Sequence, residues 1–356
     1  MMAKYDFMSF GEANVRLAPP GHDRLAQAEE LQLGIAAAEL NCCVNISNLS
    51  VKRLQPQLRT AYVTKLVDFW TGSYIMQRAR AHGVDMSNVV VEEYDKIGRT
   101  RNGLAFLEVG IGPRPSRQLY DRGHSALSKI QPGDIDWGKI LDTRWFHTTG
   151  IVTALGEYTA SEVVAALKAA KKNGATTSYD LNYRATLWSK DAARKAAESI
   201  MPHVDVILGN EEDFDTMLGI RADNTGENYT SLDPENYRSV ANKVMKQYPH
   251  LKAVGTSLRE VKSALLNNWR TVLMTANGFF VSRKYEDIEI YDRTGGGDSF
   301  ASALIWGMME GRPEQEIIDF AAAYSALCHT VRNDWNIVSR EEATDLMKGG
   351  SARVKR

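Results

Sequence analysis

The stretch Tyr291-Asp292-Arg293-Thr294-Gly295-Gly296-Gly297-Asp298-Ser299-Phe300 holds the residues whose types and spacing are best suited to chemistry. It reads as a strand that stops, three consecutive glycines, and a helix. In that helix the apolar positions Phe300, Ala303, Leu304, Gly307 and Met308 recur at helical spacing. Gly311 and Pro313 supply the helix stop. Glycines let backbone N–H groups converge on one point, and the positive end of the helix dipole adds to them. Such a turn seats an anion, most naturally a phosphate. Asp298 at its mouth has two readings. One is a helix N-cap, contributing about 1 kcal/mol. The other is a base that takes a proton from a hydroxyl while a phosphoryl group sits on the glycine amides.

The elements that must position this turn are legible from periodicity. Residues 5–18 read as a strand-like run interrupted by Gly11 and Glu12 and ended by Pro19-Pro20-Gly21. A helix follows, running through Leu49. The segment 61–91 reads as strand, loop, helix, strand, and residues 98–122 alternate in character with many turn residues, as short strands do. From residue 136 onward strands and helices take turns: strands over Thr143–Gly150, Thr176–Leu181, Val204–Leu208 and Leu251–Gly255, with helices between them. That alternation predicts an α/β fold with a mostly parallel sheet covered on both faces. In such sheets ligands sit at the carboxyl ends of the strands.

The segment Asp292-Arg-Thr-Gly-Gly-Gly-Asp-Ser-Phe resembles the C-terminal signature of the PfkB (ribokinase-like) sugar kinases, in the form found in the 2-keto-3-deoxygluconate kinase branch. The resemblance spans essentially the whole chain. It implies a single ribokinase-like catalytic domain over 1–356, a three-layer αβα sandwich with a small β-strand lid within about 11–20 and 98–122. It implies that Asp298 is the catalytic base and that the amides of Gly295, Gly296 and Gly297 form the anion hole. A carboxylate stabilised by a helix dipole is a weak base, so the proton is expected to move late.

Further matches assign further residues by likeness. Phe10-Gly-Glu-Ala-Asn-Val-Arg-Leu resembles the opening strand that reaches the sugar, which makes Asn14 a candidate contact; a polar residue on a half-exposed strand is the competing reading. Gly34-Ile-Ala-Ala-Ala-Glu-Leu-Asn resembles the family's sugar-facing Gly-Gly-Ala-Glu-x-Asn, with Glu39 and Asn41 matching and Ala36 and Ala37 in place of the glycines. Each alanine adds a methyl and penalises positive φ, so close approach of a sugar is expected to be harder. Val67-Asp68-Phe69-Trp70 departs from the family's Gly-Asp-Asp loop, and a substrate tyrosine of the branch falls near Ala105. Arg114-Pro-Ser-Arg-Gln-Leu-Tyr-Asp-Arg is similar to the branch's substrate segment and points to Tyr120 and Arg122. Asp180-Leu-Asn-Tyr-Arg points to Arg184, whose planar, permanently charged fork suits a carboxylate or phosphate. Asn210 and Asp213 resemble an Asn-x-x-Glu motif that orders water around Mg²⁺. An acid-rich first helical turn explains the same residues equally well. Thr256, Ser257 and Arg259 are candidate nucleotide contacts by the same likeness.

The implied reaction is ATP- and Mg²⁺-dependent phosphorylation of the primary hydroxyl of a sugar acid, 2-keto-3-deoxygluconate above all. Two alternatives stand beside it: a kinase for another sugar such as fructose or ribose, or a catalytically weak sugar-binding relative. A monovalent-cation requirement and a homodimer built through the lid strands are left open by the likeness.

Composition is compatible with this and excludes much else. The 356 residues carry a net charge of −1 with both signs interspersed, so neither a nucleic-acid stripe nor an acidic tail is present. Three cysteines, Cys42, Cys43 and Cys328, give neither metal-ligand spacing nor a disulfide framework. No apolar run is long enough to cross a bilayer, and the N-terminus lacks an apolar signal core. These features predict a cytoplasmic protein of a reducing compartment. There is no Gly-x-x-x-x-Gly-Lys-Ser/Thr, no Gly-x-Gly-x-x-Gly after the first strand, no Gly-x-Ser-x-Gly and no His-x-x-x-His. P-loop, dinucleotide, α/β-hydrolase and zinc-hydrolase readings therefore fall away.

Overall fold

Neighbouring residues on the main-sheet strands pack into opposite cores. Phe7, Trp145, Val206, Ala253 and Leu273 enter one apolar cluster, while Met8, Phe146, Ile207, Val254 and Met274 enter the other. This period of two, apolar on both sides, is what a sheet covered by helices on both faces demands. The first cluster is closed by helices Ala38–Leu49, Gly296–Met309 and Glu314–Cys328, and the second by Thr159–Lys172, Lys190–Ile200 and Pro234–Gln247. The result is a three-layer αβα sandwich.

The structure is a computed structural model and describes residues 3–221 and 233–350. The charged end, 351–356, expected to be solvated, lies outside the described residues. The main sheet has ten strands. From one edge the order is Gly278–Val281, Leu266–Thr275, Ala253–Ser263, Val206–Leu208, Thr176–Asp180, Thr143–Thr149, Tyr5–Phe10, Thr60–Val63 and Val84–Asp85, with Tyr285–Glu289 also on Leu266–Thr275. Pairing is parallel from Val84–Asp85 across to Ala253–Ser263 and antiparallel beyond it. The strand expected to end at Gly255 continues to Ser263, because Leu266–Thr275 turns back along it as a long hairpin.

A second sheet of four strands, ordered Arg117–Asp121, Leu104–Glu108, Asn14–Ala18 and Gln32–Ala36, carries the segments expected to form a lid. Its fourth strand, Gln32–Ala36, was not foreseen. The residues leading into the first helix are extended and pair antiparallel with Asn14–Ala18. Among the described residues no helix is long and apolar enough to cross a membrane.

The helix after the glycines carries the turn. It runs Gly296–Met309, with Phe300, Ala303, Leu304 and Gly307 all buried. Burying Phe300 and Leu304 contributes about 1.5–3 kcal/mol each. The helix lies against Ala38–Leu49 and Glu314–Cys328 in the same core. The turn is thereby fixed at the carboxyl ends of the central strands.

Candidate active site

Gly295 is the N-cap of the catalytic helix, at φ 81°, and no side chain caps the helix. A Cβ at Gly295 would meet the Asp334 carbonyl oxygen at 2.2 Å, so the position demands glycine for both conformation and space. The N-cap reading of Asp298 is thus corrected: Asp298 is the third helical residue and its carboxylate is free for other work. The first intrahelical bond runs from the Ser299 amide to the Gly295 carbonyl, so the amides of Gly295, Gly296, Gly297 and Asp298 have no intrahelical partner. The three expected glycine amides are among them, and the amide of Asp298 joins the set.

The turn is held by a buried hub. Asp292 Oδ1 accepts from the Thr294 amide at 3.0 Å and the Thr294 hydroxyl at 2.9 Å. Asp292 Oδ2 accepts from the Asn333 amide and from the Arg16 guanidinium, whose other nitrogen donates to Asp334 Oδ1. Arg16 stands on the second sheet, so one buried arginine ties that sheet to the glycine turn. Neither Arg16 nor Asp334 was singled out in the sequence. The local signal for Arg16 is a charged residue inside a mostly apolar strand, and Asp334, outside any strand or helix, has none.

The turn opens into a cavity of about 650 Å³. Around it lie all the sequence-assigned candidates except Thr256: Asn14, Ala36, Ala37, Asn41, Tyr120, Arg122, Arg184, Asn210, Asp213, Ser257, Arg259, the three glycines and Asp298. Thr256 is buried and does not line the cavity. Side chains alternate along a strand, and Ser257 and Arg259 take the cavity face while Thr256 and Leu258 take the other.

Asp298 Oδ2 accepts from Asn41 Nδ2 at 2.6 Å. Asn41, expected as a sugar contact, therefore holds the Asp298 carboxylate, and among the described residues its Oδ1 has no hydrogen-bond partner. Burial raises the Asp298 carboxyl to about 6, against the opposing effects of the Asn41 hydrogen bond and the Arg184 charge. The weak base expected from sequence is corrected: burial raises the carboxyl above its ordinary value and leaves a stronger base. kcat/KM is accordingly expected to rise with pH as Asp298 ionises, falling about tenfold per pH unit below about 6. A pH–rate profile between 5 and 8 that stays flat would remove Asp298 from the proton transfer.

Ala36 and Ala37 do not obstruct the site by backbone strain. Ala36 sits in a strand, Ala37 caps the first helix at φ −164° and ψ 95°, and neither falls among the positive-φ residues. Both conformations are open to any L-residue, so replacing glycine costs a methyl's volume and no strain. Ala105 is buried directly across from Tyr120.

At one end of the cavity Arg122 stacks over the Tyr120 ring at 3.5 Å and pairs with Glu12 at 3.4 Å. Glu12 is buried, its carboxyl pushed up by burial against the pull of Arg122 and of hydrogen bonding from Ser125 and Asn14. Asn14 is buried rather than half-exposed, donating to Glu12 at 3.2 Å and to the Ala36 carbonyl at 3.3 Å. Glu39 accepts from the Thr149 hydroxyl at 2.5 Å and is raised to about 8 by burial, so it is largely protonated at neutral pH.

Asn210 and Asp213 form a capping box: Asn210 Oδ1 accepts from the Asp213 amide at 2.9 Å, and Asp213 Oδ2 accepts from the Asn210 amide at 3.1 Å. Asp213 Oδ1 accepts from the Tyr183 amide at 3.0 Å, next to the exposed Arg184. The architectural reading of these residues is therefore met, and Asp213 anchors the loop that carries Arg184. Asp180 is raised to about 7, first by burial and then by the charges of Asp213 and Asp298.

Asp180 thus meets the charges of two further acids of the cavity, an arrangement unfavourable without a cation. Among the described residues no group of three or more His, Cys, Asp or Glu is arranged to ligate a metal directly. This combination fits Mg²⁺, which keeps its waters and leans on one or two carboxylates and on phosphate oxygens.

The pfkB family of carbohydrate kinases matches residues 4–338. The chain is 29% identical over 351 residues to the 2-dehydro-3-deoxygalactonokinase of Haloferax volcanii, covering 99% of each chain. The crystal structure of 2-dehydro-3-deoxygluconokinase from Thermotoga maritima matches with a TM-score of 0.88 and 38% identity, over 97% of this chain and 100% of that one. The fructokinase of Xylella fastidiosa with bound ATP shares the fold at a TM-score of 0.72 and 16% identity, over 96% of this chain and 98% of that one. With the glycine turn, the desolvated Asp298 and the strand order all in place, the chain belongs to the pfkB family of carbohydrate kinases.

Proposed function

We propose that this kinase transfers the γ-phosphoryl group of ATP to the primary hydroxyl of a 2-keto-3-deoxy sugar acid, of the gluconate or galactonate configuration. The observation that carries this reading is the placement of Asp298, a desolvated carboxylate, at a helix start with four unspent amides in a cavity that also holds Arg122 and Arg184. The relatives named for keto-deoxy acids support the substrate class.

Asn41 aims the Asp298 carboxylate, which accepts the hydroxyl proton as the new O–P bond forms. The amides of Gly295, Gly296 and Gly297, with that of Asp298, face the oxygens of the transferred phosphoryl, whose loose transition state asks for positioning and charge stabilisation above all. Mg²⁺, when bound, neutralises phosphate charge, and Asp180 and Asp213 are the residues that would hold its water shell. Arg184 and the Arg122–Tyr120 stack select the acid, since a guanidinium fork matches a carboxylate.

The weak sugar-binding alternative rested on the lost glycines. Ala36 and Ala37 in extended backbone take away that support. The test is a coupled ADP-release assay with MgATP across 2-keto-3-deoxygluconate, its galacto epimer, fructose and ribose. Turnover of either keto-deoxy acid is expected, and silence on both, with neutral sugars accepted, would overturn the substrate class. Arg184→Ala is expected to raise KM for the acid about 10- to 100-fold, the loss of one charge-assisted pair. It should leave any residual activity on neutral sugars unchanged.

A further inference from the structure

The arginines of the cavity fall into two groups. Arg122 is paired with Glu12, and Arg184 is felt by Asp298, Asp180, Asp213 and Tyr120. Arg259 and Arg293 belong to neither set. Arg259 projects from the strand Ala253–Ser263, and Arg293 stands two residues before Gly295. Both line the cavity, and among the described residues neither side chain has a hydrogen bond or an ion pair.

The two are neighbours. Burial lowers both guanidinium pKa values, and the charge of Arg293 lowers that of Arg259 further. Both charges are also felt at His329. That ring lies directly under the turn, its Cε1 and Nε2 each 2.8 Å from where a Cβ on Gly296 would stand. His329 Nδ1 is 2.9 Å from the Ser325 carbonyl and so carries the proton, and Trp269, the cross-strand partner of Arg259, packs edge-on at 4.7 Å. Burial lowers His329 to about 4, so it adds no third charge.

Two like charges line one cavity, Arg259 with an exposed side chain and Arg293 half-buried, with no acid paired to either among the described residues, and such a pair suits an anion from outside. An anion held by both lies next to the helix amides, because Arg293 stands two residues before Gly295 and both arginines line the cavity into which the turn opens. In an in-line transfer, the group opposite the attacking hydroxyl is the leaving group.

We propose that Arg259 and Arg293 clamp the β-phosphate of the nucleotide and neutralise the charge that forms on its leaving oxygen. This rests on the phosphoryl-transfer reading above. As the substrate oxygen bonds to the γ-phosphorus and its proton passes to Asp298, the bond from that phosphorus to the β–γ bridging oxygen breaks. The electron pair stays on the bridging oxygen, and the nucleoside diphosphate leaves with it. Guanidinium forks suit this position because they can hold a bridging and a non-bridging oxygen at once.

The experiment is calorimetric titration of the full chain with ADP and with AMP, both with Mg²⁺, alongside steady-state kinetics. Wild type, Arg293→Ala, Arg293→Lys and Arg259→Ala are compared. Arg293→Ala is expected to weaken ADP binding about tenfold or more and to lower kcat about 100-fold, as for loss of one transition-state donor. AMP, which has no β-phosphate, should bind all variants alike. Arg293→Lys should restore ADP binding more than turnover, because an ammonium supplies charge without the fork. Arg259→Ala should raise KM for ATP more than it lowers kcat. Melting temperatures close to wild type are expected in the ligand-free alanine variants, since among the described residues neither side chain has a hydrogen bond or an ion pair to lose.

Unchanged ADP binding in Arg293→Ala, or equal losses for ADP and AMP, would overturn the clamp while leaving sugar phosphorylation by wild type intact. An Arg293-dependent preference for ADP over AMP, without sugar-dependent ADP release from any sugar, would leave the clamp standing and remove the kinase substrate reading instead.

Discussion

Asp298→Asn is expected to lower kcat about a thousandfold, within the range a positioned base contributes, and to leave the fold intact. Asparagine keeps the volume and can still present an oxygen to Asn41 Nδ2, so the local geometry has no reason to change. What is lost is the lone pair that takes the hydroxyl proton. Stability should move the other way. The folded carboxyl lies at about 6, above its ordinary value of 3.8, so holding it ionised near neutral pH opposes folding. That penalty is absent below the unfolded pKa and grows as pH rises through the folded one. The neutral variant escapes it, and a thermal melt at pH 7 should show a transition at or above that of wild type. Near-normal turnover in Asp298→Asn, measured by ADP release at saturating sugar, would end its assignment as the base.

Arg16→Met is the second large effect, and it concerns stability. The guanidinium bridges Asp292 and Asp334 with all three side chains buried. Removing it strands two acids, for which a loss of about 3–5 kcal/mol is expected. The loss should depend on pH in a stated direction. Asp334 is held at about 7 by burial even with Arg16 beside it, and without Arg16 it must rise further. An acid raised by folding is tolerated where it is protonated and penalised as pH climbs past its unfolded value. Urea unfolding should therefore show a smaller deficit at pH 5 than at pH 8, and equal deficits would refute the account. Turnover should fall as well, because Asp292 also holds the Thr294 amide and hydroxyl that lead into Gly295.

These two residues mark what could be read from the chain alone. Asp298 and its glycines are contiguous, and their chemistry follows from types and spacing. The parallel sheet was legible because both faces are covered, which leaves apolar runs alternating with helical periods. Contacts between distant segments were not. Asn41 and Asp298 are 257 residues apart, and Arg16 lies 276 and 318 residues from its two acids. No local pattern announces such pairs. Thr256 was misplaced because the face a strand residue takes depends on register, and the strand runs well past the expected end at Gly255. The strand Gln32–Ala36 was missed because its partner, not its composition, makes it extended. The strength of Asp298 as a base was underestimated because burial is a property of the packed molecule.

The three glycines of the turn are bound by unlike rules. Gly295 is demanded by the chain itself, through its left-handed backbone and the Asp334 carbonyl pressed against it. At Gly297 an added methyl would find no protein atom within 4 Å, and the backbone is not left-handed. Alanine there would favour the helix by about 0.5–1 kcal/mol. The space is empty of protein, and in the proposed reaction it belongs to the phosphoryl group. A library of variants sorted only for solubility and folding would accept alanine at 297 and reject it at 295. Sorted for growth on the sugar, the same library would reject both. Inheritance at 297 is thus policed by the substrate, and at 295 by the architecture.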